Sequence, residues 1–129
     1  MRVALVTGGG SGIGRSAALE LNKIDFTVYV VGRREEELIK TSSLATNNNH
    51  KIIPIKTDIT IGFQVIALFD KIKSDHGRID LLFNNAGMGA PRVPIEDLKE
   101  EDWRKTVDVN LTGSFLCSQQ AIKLSLIHI

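Results

Sequence analysis

Apolar and polar positions fall in blocks along this chain, and the blocks predict its elements. Arg2 to Val6 is an almost unbroken apolar run, as expected of a short strand buried on both faces. A glycine-rich stretch, Gly8-Gly9-Gly10-Ser11-Gly12-Ile13-Gly14, follows it. Ile13, Ala17, Leu21 and Ile24 then recur at helical spacing, which predicts an amphipathic helix packing through that stripe. Phe26 to Val31 reads as a second buried strand, β-branched and aromatic. Behind Gly32-Arg33-Arg34, the acids Glu35, Glu36 and Glu37 suit a helix N-terminus. That helix is expected to reach about Thr46, with a thin apolar stripe through Leu38 and Leu44. Lys51 to Ile55 predicts a third strand, with Thr57-Asp58-Ile59-Thr60 after it. Val65, Leu68, Phe69 and Ile72 stand at i, i+3, i+4 and i+7 of a third helix, and Gly77 reads as its stop. Ile79 to Phe83 is the fourth strand; Asn84-Asn85-Ala86-Gly87 and a Pro-containing loop to Pro94 follow. A last long helix is expected from near Glu100, with Trp103 as an anchor and Val107, Ser114 and Ala121 along the same side.

Strand and helix alternate with short connections, which predicts an α/β fold with a doubly wound parallel sheet. At 129 residues the chain suits one domain with a single core. A formal net charge of +1 argues against nucleic acid or an acidic membrane as the main partner. No apolar run approaches the roughly 18 residues of a spanning helix, and the N-terminus does not read as a signal peptide. Cys117 is the lone cysteine, so no internal disulfide forms and a reducing cytoplasm is the expected setting. Its helical apolar context makes it a core residue rather than a nucleophile. His50, His76 and His128 lack ligand-like spacing, so no metal site is expected.

The chemistry sits at the strand ends. In doubly wound sheets ligands bind beyond the carboxyl ends of the strands, and there each strand delivers an unusual group. After the first, consecutive glycines let the backbone turn sharply and approach a ligand closely. The helix that opens next offers free N–H groups and a dipole that favour an anion. The spacing Gly8-x-x-x-Gly12-x-Gly14 is a variant of the dinucleotide fingerprint; the alternative is a turn with no ligand. After the second strand, an NAD-selecting protein usually places an acid to bond the ribose 2′-hydroxyl. Here Gly32 holds that place, with Arg33 and Arg34 behind it. A guanidinium can chelate a 2′-phosphate, so NADP(H) is expected over NAD(H), with Arg33 the better candidate. The alternative is two solvated arginines paired with the Glu run. Asp58, after the third strand, is an Asx turn or cap, or an acceptor for an adenine amino group. The small residues of Asn84 to Gly87 suit a backbone that borders a ligand. Asn110 lies mid-helix, where Asn is a poor helix former. It reads as capping a local distortion near Gly113, or as a buried amide needing partners that a water chain could supply.

These residues resemble the short-chain dehydrogenase/reductases. Thr7-Gly8-x-x-x-Gly12-Ile13-Gly14, Asp58, Asn84-Asn85-Ala86-Gly87 and Val109-Asn110-Leu111-x-Gly113 match that family's motifs in order, over roughly residues 2 to 124. The resemblance implies a Rossmann-type fold, strand order 3-2-1-4, and hydride transfer between a nicotinamide cofactor and an alcohol/carbonyl pair. By carry-over Gly8, Ser11, Gly12, Ile13 and Gly14 seat the pyrophosphate, and Asp58 and Ile59 hold the adenine. Asn85, Ala86 and Gly87 border the adenosine ribose, and Asn110 matches the catalytic Asn that holds a water in a proton relay. Ser11 stands where many NADP-preferring members carry a basic residue, which weighs against the NADP reading. The resemblance also implies a small-molecule carbonyl or alcohol substrate and a homo-oligomer for the full-length protein. The family's catalytic Ser and Tyr-x-x-x-Lys pair have no counterpart here: the one tyrosine, Tyr29, lies in the second strand with Arg33 four residues on. The expected organisation is therefore an incomplete dinucleotide-binding domain, residues 1–124, stopping before a fifth strand. Residues 125–129 are expected to be a foreign tail on a truncated gene model. The rival expectations are a catalytically empty NADPH-binding or interaction module, and a non-functional fragment.

Overall fold

The computed structural model describes residues 1–126. Strands β1 (Arg2–Thr7), β2 (Phe26–Gly32), β3 (Ile52–Lys56) and β4 (Leu81–Phe83) alternate with helices α1 (Gly12–Lys23), α2 (Glu35–Ser43) and α3 (Gly62–His76). All pairings are parallel and the order is β3-β2-β1-β4, as the sequence predicts. A 3-10 turn at Ile95–Asp97 leads to α4 (Glu100–Val107), a π-helical turn at Asp108–Thr112, and α5 (Gly113–Leu126). No helix among the described residues is long and apolar enough to cross a membrane.

The two faces of the sheet explain the unbroken apolar strands. Val3, Leu5, Tyr29 and Val31 point into one core with Val65, Leu68, Phe69 and Ile72 of α3 and Cys117, Ala121 and Leu124 of α5. Ala4, Val6, Val28 and Val30 point the other way, onto Ala18 of α1 and Leu38 of α2. With helices on both faces, successive residues are all buried and no polar alternation remains. The predicted α3 stripe is fully used, and Gly77 ends that helix at φ 69°. Cys117 is a core residue, its thiol pushed up to about 11 by burial.

Other expectations need correction. In α1 the predicted stripe is displaced: Ile13 is 74% and Ile24 56% exposed, while Gly14, Ala18 and Asn22 are buried. The contact face is chosen by size, because a side chain at Gly14 would collide with the Gly8 carbonyl. Helix α2 ends at Ser43 and leaves Leu44 exposed, whereas the polar Thr41 is wholly buried. The single long helix is interrupted: the Gly113 amide bonds the Asp108 carbonyl five residues back, widening one turn. Past it the buried stripe is Gly113, Cys117, Ala121 and Leu124, and Trp103, 58% exposed, is no anchor. β4 starts at Leu81 rather than Ile79: the Asp80 amide still donates to the Val3 carbonyl at 2.8 Å, but the Val3 amide goes to the Asp80 carboxylate at 2.8 Å instead of a backbone carbonyl. Ser125 and Leu126 continue α5; the rest of the expected tail lies outside the described residues.

Candidate functional site

Beyond the carboxyl ends of the strands lies a cleft of about 560 Å³. Its walls include Gly8, Ser11, Gly12, Ile13, Arg33, Arg34, Asp58, Ile59, Asn85, Ala86 and Gly87. Of the candidates named from sequence, Gly14 and Asn110 stand behind this lining. A second cavity of about 340 Å³ continues it past Arg33, Asp58 and Thr60 towards Lys105 and Asp108.

The glycine loop is held by its carbonyls. Gly8 stands at φ 66° and Gly12 at φ 52°, conformations that L side chains rarely adopt. The Gly8 carbonyl accepts from Asn85 Nδ2 at 3.3 Å, the Gly9 carbonyl from Thr41 Oγ1 at 2.8 Å, and the Gly10 carbonyl from an Arg15 guanidinium N–H. The first amide at the start of α1 to find an acceptor is that of Arg15, on the Ser11 carbonyl at 3.1 Å. Ser11 gives no side-chain cap, and the amides of residues 10–14 have no protein acceptor among the described residues. Space beside Gly12 is open to 4 Å. An anion would therefore find unspent donors, the positive end of a helix, and no Cβ in its way.

The other walls are fixed by side chains from β1 and α4. Thr7 Oγ1 accepts the amides of Asn85 (3.0 Å) and Ala86 (2.9 Å), pinning the turn after β4 to the end of β1. Asn110 clasps the next segment from outside: Nδ2 donates to the Met88 carbonyl at 2.8 Å and Oδ1 accepts the Met88 amide at 3.2 Å. It is exposed rather than buried, and a third bond, Nδ2 to the Thr106 carbonyl at 2.9 Å, is also supplied by protein. The distortion expected there is the π-helical turn itself. Asp58 forms an Asx turn, Oδ1 accepting the Thr60 amide (3.0 Å) and hydroxyl (2.6 Å). Its Oδ2 keeps no protein partner among the described residues, so turn and ligand roles are compatible. Ile59 borders the cleft while its buried side chain packs 2.6 Å from where a Cβ on Gly113 would stand. Arg33 and Arg34 are exposed at the start of α2, in no ion pair among the described residues.

The sequence places Thr7 in the glycine motif without a role of its own and singles out neither Arg15 nor Thr41. Arg15 was detectable: a cation in the first turn of a helix opposes the dipole and needs a compensating partner. It finds Glu37 at 3.0 Å. Thr41 carried no signal of its link to the loop, because the Gly9 carbonyl is 32 residues away in sequence, while its other acceptor, the Glu37 carbonyl, is four residues back as for any helical threonine.

A parallel sheet wound on both sides, with a glycine loop and an open cleft at its carboxyl rim, defines a Rossmann-type nucleotide-binding protein. Residues 2–127 match the family described as short chain dehydrogenase, and the chain belongs to that family. It is 35% identical over 123 residues to a 3beta-hydroxysteroid dehydrogenase of Mediterraneibacter gnavus, covering 95% of this chain and 45% of that protein. It is 34% identical to a cis-4-hydroxycyclohexanecarboxylate dehydrogenase of Sinomonas cyclohexanicum, covering 95% and 49%. The crystal structure of NAD+-bound xylitol dehydrogenase superposes with a TM-score of 0.93 at 28% identity, covering 98% of this chain and 49% of that one. A metagenomic short-chain oxidoreductase in complex with NADP gives 0.90 at 27% identity, covering 95% and 56%. The chain thus spans about half the length of the curated relatives it matches.

Proposed function

We propose that this chain is the cofactor-binding part of an NADP(H)-dependent oxidoreductase acting on a small carbonyl or alcohol. The observation that carries the reading is the run of unbonded amides at residues 10–14, opening on a cleft that Arg33 and Arg34 also line. In this reading Gly8 and the segment Ser11 to Gly14 hold the pyrophosphate. Asn85, Ala86 and Gly87 border the ribose, Asp58 and Ile59 the adenine, and Arg33 with Arg34 the 2′-phosphate. The nicotinamide group supplies or accepts the hydride when bound. Asn110 acts through Met88, whose backbone it clasps from both sides. NADP(H) is favoured over NAD(H) because Gly32 offers no carboxylate and the two arginines have no ion-pair partner among the described residues.

One observation favours a second reading for the chain as given, that of a cofactor-binding module without turnover. Tyr29, its single tyrosine, is buried in the sheet and donates to Asp75 Oδ2 at 2.8 Å. Burial first, then the Asp75 carboxylate, push the phenol pKa far up, so it is no proton donor to a substrate. The test is a fluorescence titration of residues 1–129 with NADPH and NADH, followed by an NADPH-oxidation assay with several ketones. Tighter binding of NADPH without turnover is expected. Equal affinities would overturn the cofactor preference, and turnover above background would overturn the inactive reading.

A further inference from the structure

We propose that Arg15 and Thr41 are positioning residues: they hold the glycine-loop carbonyls back and so aim the loop amides at the pyrophosphate. The inference rests on the cofactor reading above and adds residues that none of its motifs names. Each peptide unit of the loop offers a donor and an acceptor, and only one should face an anion. The acceptors are spoken for from three directions, by Asn85 on Gly8, Thr41 on Gly9 and Arg15 on Gly10.

Arg15 would be an obvious phosphate ligand by chemistry, and it stands beside the glycine loop. Yet it is not among the residues lining the cleft. Its guanidinium turns inward: Nη2 faces the Gly10 and Glu37 carbonyls and the Glu37 carboxylate at 3.0 Å, and Nε donates to Thr41 Oγ1 at 2.9 Å. Glu37 neutralises the cation, so its charge does not compete for the ligand. Thr41 relays the same hold: it accepts from Arg15 Nε, and its hydroxyl faces the Gly9 carbonyl at 2.8 Å, with the Glu37 carbonyl of its own helix the longer alternative at 3.2 Å. Both side chains of the relay's far end belong to α2, the helix that Arg33 and Arg34 precede. The latch therefore ties the pyrophosphate loop to the element that faces a 2′-phosphate.

The consequence is selective. Breaking the latch lets loop carbonyls rotate towards the anion, which weakens a ligand that has a pyrophosphate. Adenosine 2′-monophosphate, which has none, loses little. The variants are Thr41→Val, Thr41→Ser and Arg15→Met, and Kd is measured for NADP+ and for adenosine 2′-monophosphate by NMR titration of the whole chain. Thr41→Val and Arg15→Met should each weaken NADP+ about tenfold, the effect of one lost hydrogen bond. Thr41→Ser, which keeps the hydroxyl, should bind as the parent does, and adenosine 2′-monophosphate should bind alike throughout. Unchanged NADP+ affinity, or a loss shared equally by both ligands, would overturn the proposal. Arg15→Met alters a partly exposed side chain and carries the test if Thr41→Val does not fold. A ligand-free arm separates the two readings: amide hydrogen exchange at Gly8, Gly9 and Arg15, the bonded amides that flank the open run, should quicken in both latch-breaking variants. Quickened exchange in a protein whose parent binds no dinucleotide would sink the cofactor reading and leave the latch. Unchanged exchange would sink the latch.

Discussion

A single methyl group at Gly14 measures how rigidly α1 is seated on the glycine loop. The Cβ of Gly14→Ala would fall on the Gly8 carbonyl oxygen, 2.8 Å from the Gly8 carbonyl carbon and 2.6 Å from Asn85 Nδ2. Neither neighbour can retreat freely. Gly8 is held at φ 66° by its amide on the Val31 carbonyl at 2.9 Å, and Asn85 Nδ2 is its own carbonyl's donor. Regaining van der Waals separation requires α1 or the loop to move by about 1 Å. Overpacking of this kind costs about 1–3 kcal/mol, and losing the Asn85 bond adds about 1 kcal/mol. The sum, about 2–4 kcal/mol, is a large part of a typical net stability of about 5–15 kcal/mol. For a domain of this length that lowers the melting temperature by roughly 7–15 °C. Gly62→Ala is the matched control: nothing lies within 4 Å of its added Cβ, at the first residue of α3. There the change should be neutral or stabilise by up to about 1 kcal/mol. Circular-dichroism melts of the two variants beside the parent provide the assay. A Gly14→Ala melt within about 2 °C of the parent would show that the contact yields easily and the reasoning is wrong.

Three further outcomes are expected. Arg33→Ala should cut the NADPH-over-NADH preference about tenfold, since a charge-assisted pair is worth about 1.5–3 kcal/mol and exposure holds it to the lower end; paired fluorescence titrations check this, and an unmoved ratio refutes it. Tyr29→Phe should alter stability against pH at both ends. Asp75, held below the usual carboxylate range first by the Tyr29 hydroxyl and then by Lys71, contributes stability above that range that is lost as pH falls through its folded value. Tyr29, raised in the fold, contributes stability below about pH 10 that is lost as pH rises further. The variant's urea midpoint should fall less steeply towards acid and alkali than the parent's; identical slopes would discount the pair. Cys117, with its thiol pushed up to about 11 by burial, should resist a disulfide reagent at pH 8 until denaturant is added. Equal reactivity in folded and unfolded protein would contradict its burial.

Local pattern carried most of the sheet and little of the contact geometry. The four strands were legible as unbroken apolar runs, buried in β1 and β2 and mostly half-buried in β3 and β4, and the α3 stripe because its buried residues follow the helical period. In α1 the apolar residues misled: Ile13 borders the cleft and Ile24 is exposed, while the contact face is the small series Gly14, Ala18 and Asn22. Closeness to the loop selects Gly14, packing on the sheet selects Ala18, and the Phe26 and His50 carbonyls select Asn22; hydropathy registers none of these. The glycine, Asp58 and Asn84-to-Gly87 groups were legible because strand ends in this fold converge on one rim. Thr41 was not, because its partners come from α1 and the loop, far away in the chain. Trp103 was misplaced for another reason: a regular spacing drawn through Asp108–Thr112 assumes a regular helix, and that turn is wider.

The wide turn also limits what can change in this segment. Within it, Asn110 answers to Met88 and Val109 to the cleft; past it, Gly113 answers to Ile59 and Cys117 to the sheet. The wide turn holds one residue more than an α-helical turn, so losing one residue here would regularise the hydrogen bonding, leave both flanks facing as they do, and carry Val109 and Asn110 off their partners. Substitutions along the segment can be absorbed one side chain at a time. Its length cannot drift by even one codon.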